Sequence, residues 1–163
     1  MFTPTGLFET HLTVQNLTRS IAFYRDVVGL PLAYVVEERR VAFMWIGAPG
    51  EAMLGLWEAP GPMGLRLHFA LRMSEADVVE APAMLRARGV VSLDFYGNPS
   101  EIAYVIGWMP AVCVFFKDPD GHSVEFISMV SGPPQPEPMM VPWSQWHRPS
   151  HGSDANRSAD MRG

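Results

Sequence analysis

Three polar side chains interrupt strand-like runs in this chain: His11 in FETHLTV, His68 in LRLHFALRM and Glu125 in HSVEFISMV. Alternate side chains of a strand point to opposite faces, so parity assigns each residue to a surface. In the second run Leu65, Leu67, Phe69, Leu71 and Met73 form an apolar face, and His68 lies opposite with Arg66 and Arg72. In the first, Glu9, His11 and Thr13 share one face while Phe8, Leu12 and Val14 take the other, with Thr10 as the exception. In the last, Val124 and Phe126 mark the covered face and leave Ser123, Glu125 and Ile127 opposite. His11, His68 and Glu125 are therefore all expected on the sheet face that helices leave open. Each alone would be an ordinary solvent-facing residue. Together, two imidazoles and one carboxylate make a set that suits Zn²⁺, Fe²⁺, Ni²⁺ or Mn²⁺ and leaves coordination positions open for a substrate or water.

The elements that must position them follow from periodicity. NLTRSIAFYRDVVGL places Leu17, Ile21, Tyr24 and Val28 at helical spacing, with Asn16 as N-cap and Gly29 as the stop. Strand-like runs LPLAYVVEE, VAFMWIG and AMLGLWE follow, which completes a βαβββ unit. After the breaker APGPMG the order recurs. The strand LRLHFALRM precedes a helix with Ser74 and Asp77 as capping box and Gly89 as stop, and strands VVSLDF, AVCVFF and HSVEFISMV close the second unit. Pro82 should kink this second helix, because it removes a backbone donor. The expected class is α+β: two βαβββ modules, residues 7–60 and 64–130, forming a curved mixed sheet with helices outside and a cup-shaped metal site within. Residues 131–163 are rich in Pro, Ser and Gly and read as a tail. Within it MMVPWSQW is apolar enough to dock on the body, and disorder is expected beyond about residue 147.

Composition narrows the function classes. The 163 residues, 48% hydrophobic and 18% charged, suit one domain with a real core. A formal charge of −5 provides no basic stripe, so neither a nucleic-acid partner nor a polybasic membrane anchor is expected and a small molecule becomes the default ligand. The opening MFTPTGLFETHLTV lacks the basic and apolar regions of a secretory signal, and no apolar run approaches the ~20 residues that span a bilayer. A cytoplasmic protein is expected. Cys113, the single cysteine, sits in VCVFF and reads as a buried structural thiol.

HLTVQNLTRSIAFYRDVVGLPL and FKDPDGHSVEFI resemble the opening and closing motifs of the vicinal oxygen chelate superfamily, which includes glyoxalase I, fosfomycin-resistance thiol transferases, bleomycin-resistance proteins and extradiol dioxygenases. The likeness spans residues 7–130. It implies paired βαβββ modules, a homodimer, and His11, His68 and Glu125 as ligands of a divalent metal, with Glu125 also able to carry a proton. Glyoxalase I usually supplies a second carboxylate from the last strand of its first module. Here parity puts Met53, Gly55 and Trp57 on that side, with Gly55 as the counterpart, while Glu58 faces away unless a bulge intervenes. Three protein ligands, as in the fosfomycin-resistance branch, are then expected, with Thr13 beside the metal and in reach of a substrate oxyanion. The basic residues which that branch carries after its last strand have no match in SGPPQPEP.

The resemblance thus implies a metal-dependent enzyme similar to lactoylglutathione lyase that binds a small substrate through vicinal oxygens, with or without a thiol cosubstrate. The alternatives are a fosfomycin-type thiol transferase and a metal-free drug-binding protein of the bleomycin-resistance kind. Trp57, with Trp45 and Met53, could wall the cup, Arg66 and Arg72 could meet an anionic substrate, and Gly107–Ala111 could close over the pocket. His122, His147 and His151 are left out of the site, since the first follows a turn and the others lie in the tail.

Overall fold

A computed structural model describes residues 3–59, 61–62 and 64–146. The first module runs β1 (Glu9–Val14), α1 (Leu17–Phe23, continued by a π turn over Tyr24–Val28), β2 (Leu32–Val36), β3 (Val41–Ile46) and β4 (Ala52–Glu58). The second runs β5 (His68–Arg72), α2 (Glu75–Ala87), β6 (Tyr104–Ile106), β7 (Ala111–Lys117) and β8 (Ser123–Met129). Their strands form two sheets, one ordered β1-β4-β3-β2 and the other β5-β8-β7-β6, to which β9 (Met140–Pro142) adds an edge beside β6. In each module the first and last strands pair parallel, and the last two strands form an antiparallel hairpin.

Local chemistry explains the helix boundaries. The Asn16 side chain accepts from the Arg19 N–H, and Gly29 ends the π turn at φ 88°, a left-handed conformation that costs glycine little. Ser74 caps α2 by accepting from the Asp77 N–H at 3.1 Å. The helix continues through Pro82 to Ala87, where the sequence suggests a kink. Both helices lie against their own sheets, and the covered faces share one continuous core. Leu12, Leu54, Tyr24, Leu85, Phe116 and Phe126 all belong to it, and Phe23 of the first module stacks on Phe116 of the second at 6.4 Å.

The DPDGH turn joins the modules. Asp118 accepts from the backbone of Asp120 and His122 and from the Tyr24 hydroxyl, and Asp120 accepts from Arg19 and Ser20 on α1. Burial first, and the Asp118 charge second, push the Tyr24 hydroxyl far above its ordinary pKa. His122 is fully buried. Its Nδ1 accepts from the Leu67 N–H at 3.0 Å, so Nε2 carries the proton and donates it to the Thr13 carbonyl at 2.8 Å. One neutral imidazole thus ties the end of β1 to the entry of β5.

Two sequence expectations need correction. VVSLDF is not a strand: only Leu93 bridges to Phe115 and Pro99, because the Asp94 carboxylate accepts from the backbone of Tyr96 and Asn98 and bends the chain into a turn. The strand of that module is Tyr104–Ile106 instead. The first strand of the second module starts at His68, which leaves Leu65 and Leu67 exposed rather than on the covered face. MMVPWSQW lies on the body as β9 and a short helix, α3 (Trp143–Trp146), whose Trp146 is buried and donates to the Ser131 carbonyl. His147, His151 and the tail beyond residue 146 lie outside the described residues. No helix among the described residues is long and apolar enough to cross a membrane.

Candidate functional site

On the open face of the second sheet, His68 and Glu125 meet: Nε2 lies 3.2 Å from Oε2. Both belong to neighbouring parallel strands, with His68 opposite Ser123 and Ala70 opposite Glu125. Phe115, across from Glu125 on β7, stacks beside the His68 ring at 6.0 Å. The imidazole is half exposed, but Glu125 is only 5% exposed. Its Oε1 meets no N–H or O–H donor. Burial accordingly pushes this carboxyl above the usual carboxylate range, and His68 and the weak thiol donor of Cys113 pull it back less. Cys113 is buried as expected, yet it sits on the open-face parity. Burial and the Glu125 charge push its thiol well above the ordinary range. Its position was legible in AVCVFF, where Cys113 and Phe115 share parity.

The first sheet carries a different cluster. His11 lies opposite Gly55, and a β-carbon at residue 55 would collide with the His11 ring. The Trp57 indole N–H donates to His11 Nδ1, and His11 Nε2 lies 3.2 Å from Glu9 Oε1. An indole N–H can only donate, so Nδ1 is the acceptor and Nε2 bears the proton that faces Glu9. Arg39 stacks over the Trp57 ring at 4.6 Å, and Phe43, across from Gly55, stands edge-on to His11 at 6.1 Å. Thr13 is exposed one pleat beyond His11, opposite Trp57.

The structure therefore joins His68 with Glu125 and places His11 on the other sheet. Among the described residues no three metal-ligating side chains come together within one chain. Arg72 is exposed at the open-face end of β5. Arg66 precedes the strand, and its guanidinium packs against Gly121 of the DPDGH turn. Glu58 is excluded from the open face: it accepts from the Leu17 N–H at 2.6 Å and from Arg40, so it caps α1 on the covered side. Gly107 is strapped down, its N–H donating to the Met139 carbonyl and its carbonyl accepting from Gln135.

This duplicated frame, with its polar open faces, is the architecture of a known class. Residues 6–126 match the Glyoxalase/Bleomycin resistance protein/Dioxygenase superfamily, and the chain belongs to it. It is 29% identical over 131 residues to a lactoylglutathione lyase of Salmonella typhimurium, covering 74% of this chain and 90% of the relative. Among solved structures, an integron cassette protein from the mobile metagenome of the Halifax Harbour sewage outfall is 27% identical with a TM-score of 0.66, covering 77% of this chain and 100% of that one. A lactoylglutathione lyase from Agrobacterium tumefaciens is 24% identical with a TM-score of 0.58, covering 76% and 93%.

Proposed function

We propose that this chain is a metal-dependent enzyme of the lactoylglutathione-lyase kind, acting on a small molecule that presents two vicinal oxygens. The observation that carries the reading is Glu125: a buried carboxylate beside His68, on a face free of helices, with one oxygen unsatisfied. A buried acceptor left without a donor costs about 1–3 kcal/mol, so such a group in a native fold calls for a cation or a proton. His68 and Glu125 would hold the ion from one sheet and the His11 region from the other. Because one chain does not bring these together, the set would be closed by a second copy, which makes the functional unit a homodimer. A divalent ion bound there supplies Lewis acidity toward a developing oxyanion.

The residues' own contributions follow from their environment. Glu125, with its affinity for protons raised by burial, is suited to accept or return a proton at Oε1. His68 fixes the direction of Oε2. Phe115 and the Phe43–Trp57 surface keep the neighbourhood apolar, which strengthens each polar contact. The thiol transferase reading is favoured by one observation, the absence of a side chain at Gly55, where a second carboxylate would stand by symmetry.

Elemental analysis of the purified protein, beside His68→Ala, is the direct test. A transition metal near one per chain, lost in the variant, is expected. Isomerisation of thiol–oxoaldehyde adducts and thiol addition to fosfomycin then separate the two reactions. Absence of metal after reconstitution would sink the metalloenzyme reading and favour a sequestering protein.

A further inference from the structure

The two histidines occupy different places in the duplicated frame. Counted from the hairpin, the first open-face residue of the last strand is Met53 in one module and Ser123 in the other; the second is Gly55 and Glu125; the third is Trp57 and Ile127. Phe43 lies across from Gly55 and Phe115 lies across from Glu125, which fixes the same correspondence from the neighbouring strand. On the first strands, Glu9 then pairs with Met53 as His68 pairs with Ser123, and His11 pairs with Gly55 as Ala70 pairs with Glu125. The counterpart of His68 is therefore Glu9, and His11 stands one pleat further along.

We propose that Glu9 is the metal ligand contributed by the first module, and that His11 is a positioning residue that aims it. The proposal rests on the metal-dependent reading above and assigns the missing second carboxylate to β1 rather than β4. The hydrogen-bond directions support it. A neutral imidazole has one lone pair, and the lone pair of His11 is taken by the Trp57 N–H, while its Nε2–H faces Glu9. To bind an ion through Nε2, His11 would have to move its proton to Nδ1, where it would oppose another donor. Glu9 meets no such obstacle. Its carboxylate is half-buried and held on one oxygen by His11, with the other oxygen's acceptor capacity remaining. Gly55 completes the device: the ring occupies the place of the side chain that residue 55 lacks. Trp57, His11 and Glu9 thus form a chain of donors ending on the carboxylate, the arrangement by which second partners orient a ligand.

The test is a Co²⁺ titration of the intact protein, followed through visible absorption, together with ¹H–¹⁵N spectra of the imidazoles. Glu9→Gln is expected to weaken binding by at least roughly a hundredfold and His11→Ala by about tenfold, the range for a ligand's orienting partner. In the loaded wild-type protein His11 is expected to keep its Nε2 proton, whereas His68 loses any proton from the nitrogen that binds. Loss of the His11 Nε2 proton on loading, or a larger effect of His11→Ala than of Glu9→Gln, overturns the proposal. Co²⁺ that binds, is lost with His68→Ala and is indifferent to Glu9→Gln overturns the role of Glu9 alone. Failure of the wild-type protein to bind Co²⁺ overturns the metal reading along with it.

Discussion

The two open faces share a frame and differ in how their polar groups are satisfied. On the first sheet Trp57, His11 and Glu9 satisfy one another, with both imidazole nitrogens engaged. On the second, His68 meets Glu125 at the same 3.2 Å separation, but an inner oxygen of the carboxylate meets no N–H or O–H donor. The same strand topology therefore carries one cluster in which the histidine is fully engaged and one in which a buried carboxylate oxygen lacks an N–H or O–H donor. The first cluster aims the Glu9 carboxylate through a chain of donors, and the second leaves a buried carboxylate oxygen to bind or take a proton. The duplicated backbone sets where side chains emerge, while residue choice at Gly55 and Glu125 decides which module is reactive.

Removing Glu125 should break this contrast most sharply. Glu125→Ala is expected to lower metal affinity by at least about a hundredfold, since a direct ligand counts for more than the 10–100-fold of an orienting partner. The metal-free variant should stay folded, because deletion also removes an unsatisfied buried acceptor. Circular dichroism and Co²⁺ titration together check this, and a collapsed fold would assign Glu125 a structural role instead. A smaller change sharpens the contrast from the other side. Gly55→Ala places a β-carbon in the His11 ring and should cost about 1–3 kcal/mol as the ring is displaced. Denaturant unfolding measures the cost, and the indole signal of Trp57 should shift as its acceptor leaves. An unchanged indole environment would mean that His11 does not rest on Trp57 in solution.

Parity made the open faces legible: Glu9, His11, Thr13, Met53, Gly55 and Trp57 all emerge on the side that alternation assigns them, and so do His68 and Glu125. Helix caps at Asn16 and Ser74 were equally readable, because a cap is a local contact. Register was not. That His11 lies opposite Gly55 while His68 lies opposite Ser123 depends on strands 44 and 55 residues apart, and no local pattern encodes it. The turn built by Asp94 hid the true position of β6, since VVSLDF has the composition of a strand but a side chain that competes for the backbone. DPDGH was visible as a turn, yet its bonds to Tyr24, Arg19, Thr13 and Leu67 are tertiary.

The last strands also carry carboxylates whose titrations should oppose each other. Glu58 on β4 is held below the usual carboxylate range, first by the Leu17 N–H and then by Arg40, whereas burial holds Glu125 on β8 above it. A lowered native pKa gives stability that is present above the unfolded value and lost as pH falls through the native one; a raised pKa gives the reverse, with stability present in acid and lost as pH rises. In metal-free protein, Glu58→Gln should therefore lower Tm at neutral pH and converge on the wild type in acid. Glu125→Gln should raise Tm at neutral pH and converge in acid from the other side. The Glu58 effect is the smaller, because its pairing with Arg40 faces solvent and is screened. Thermal melts across the carboxylate range decide the matter: two variants that both lower Tm at neutral pH would mean that Glu125 finds a stronger donor in solution than the Cys113 thiol.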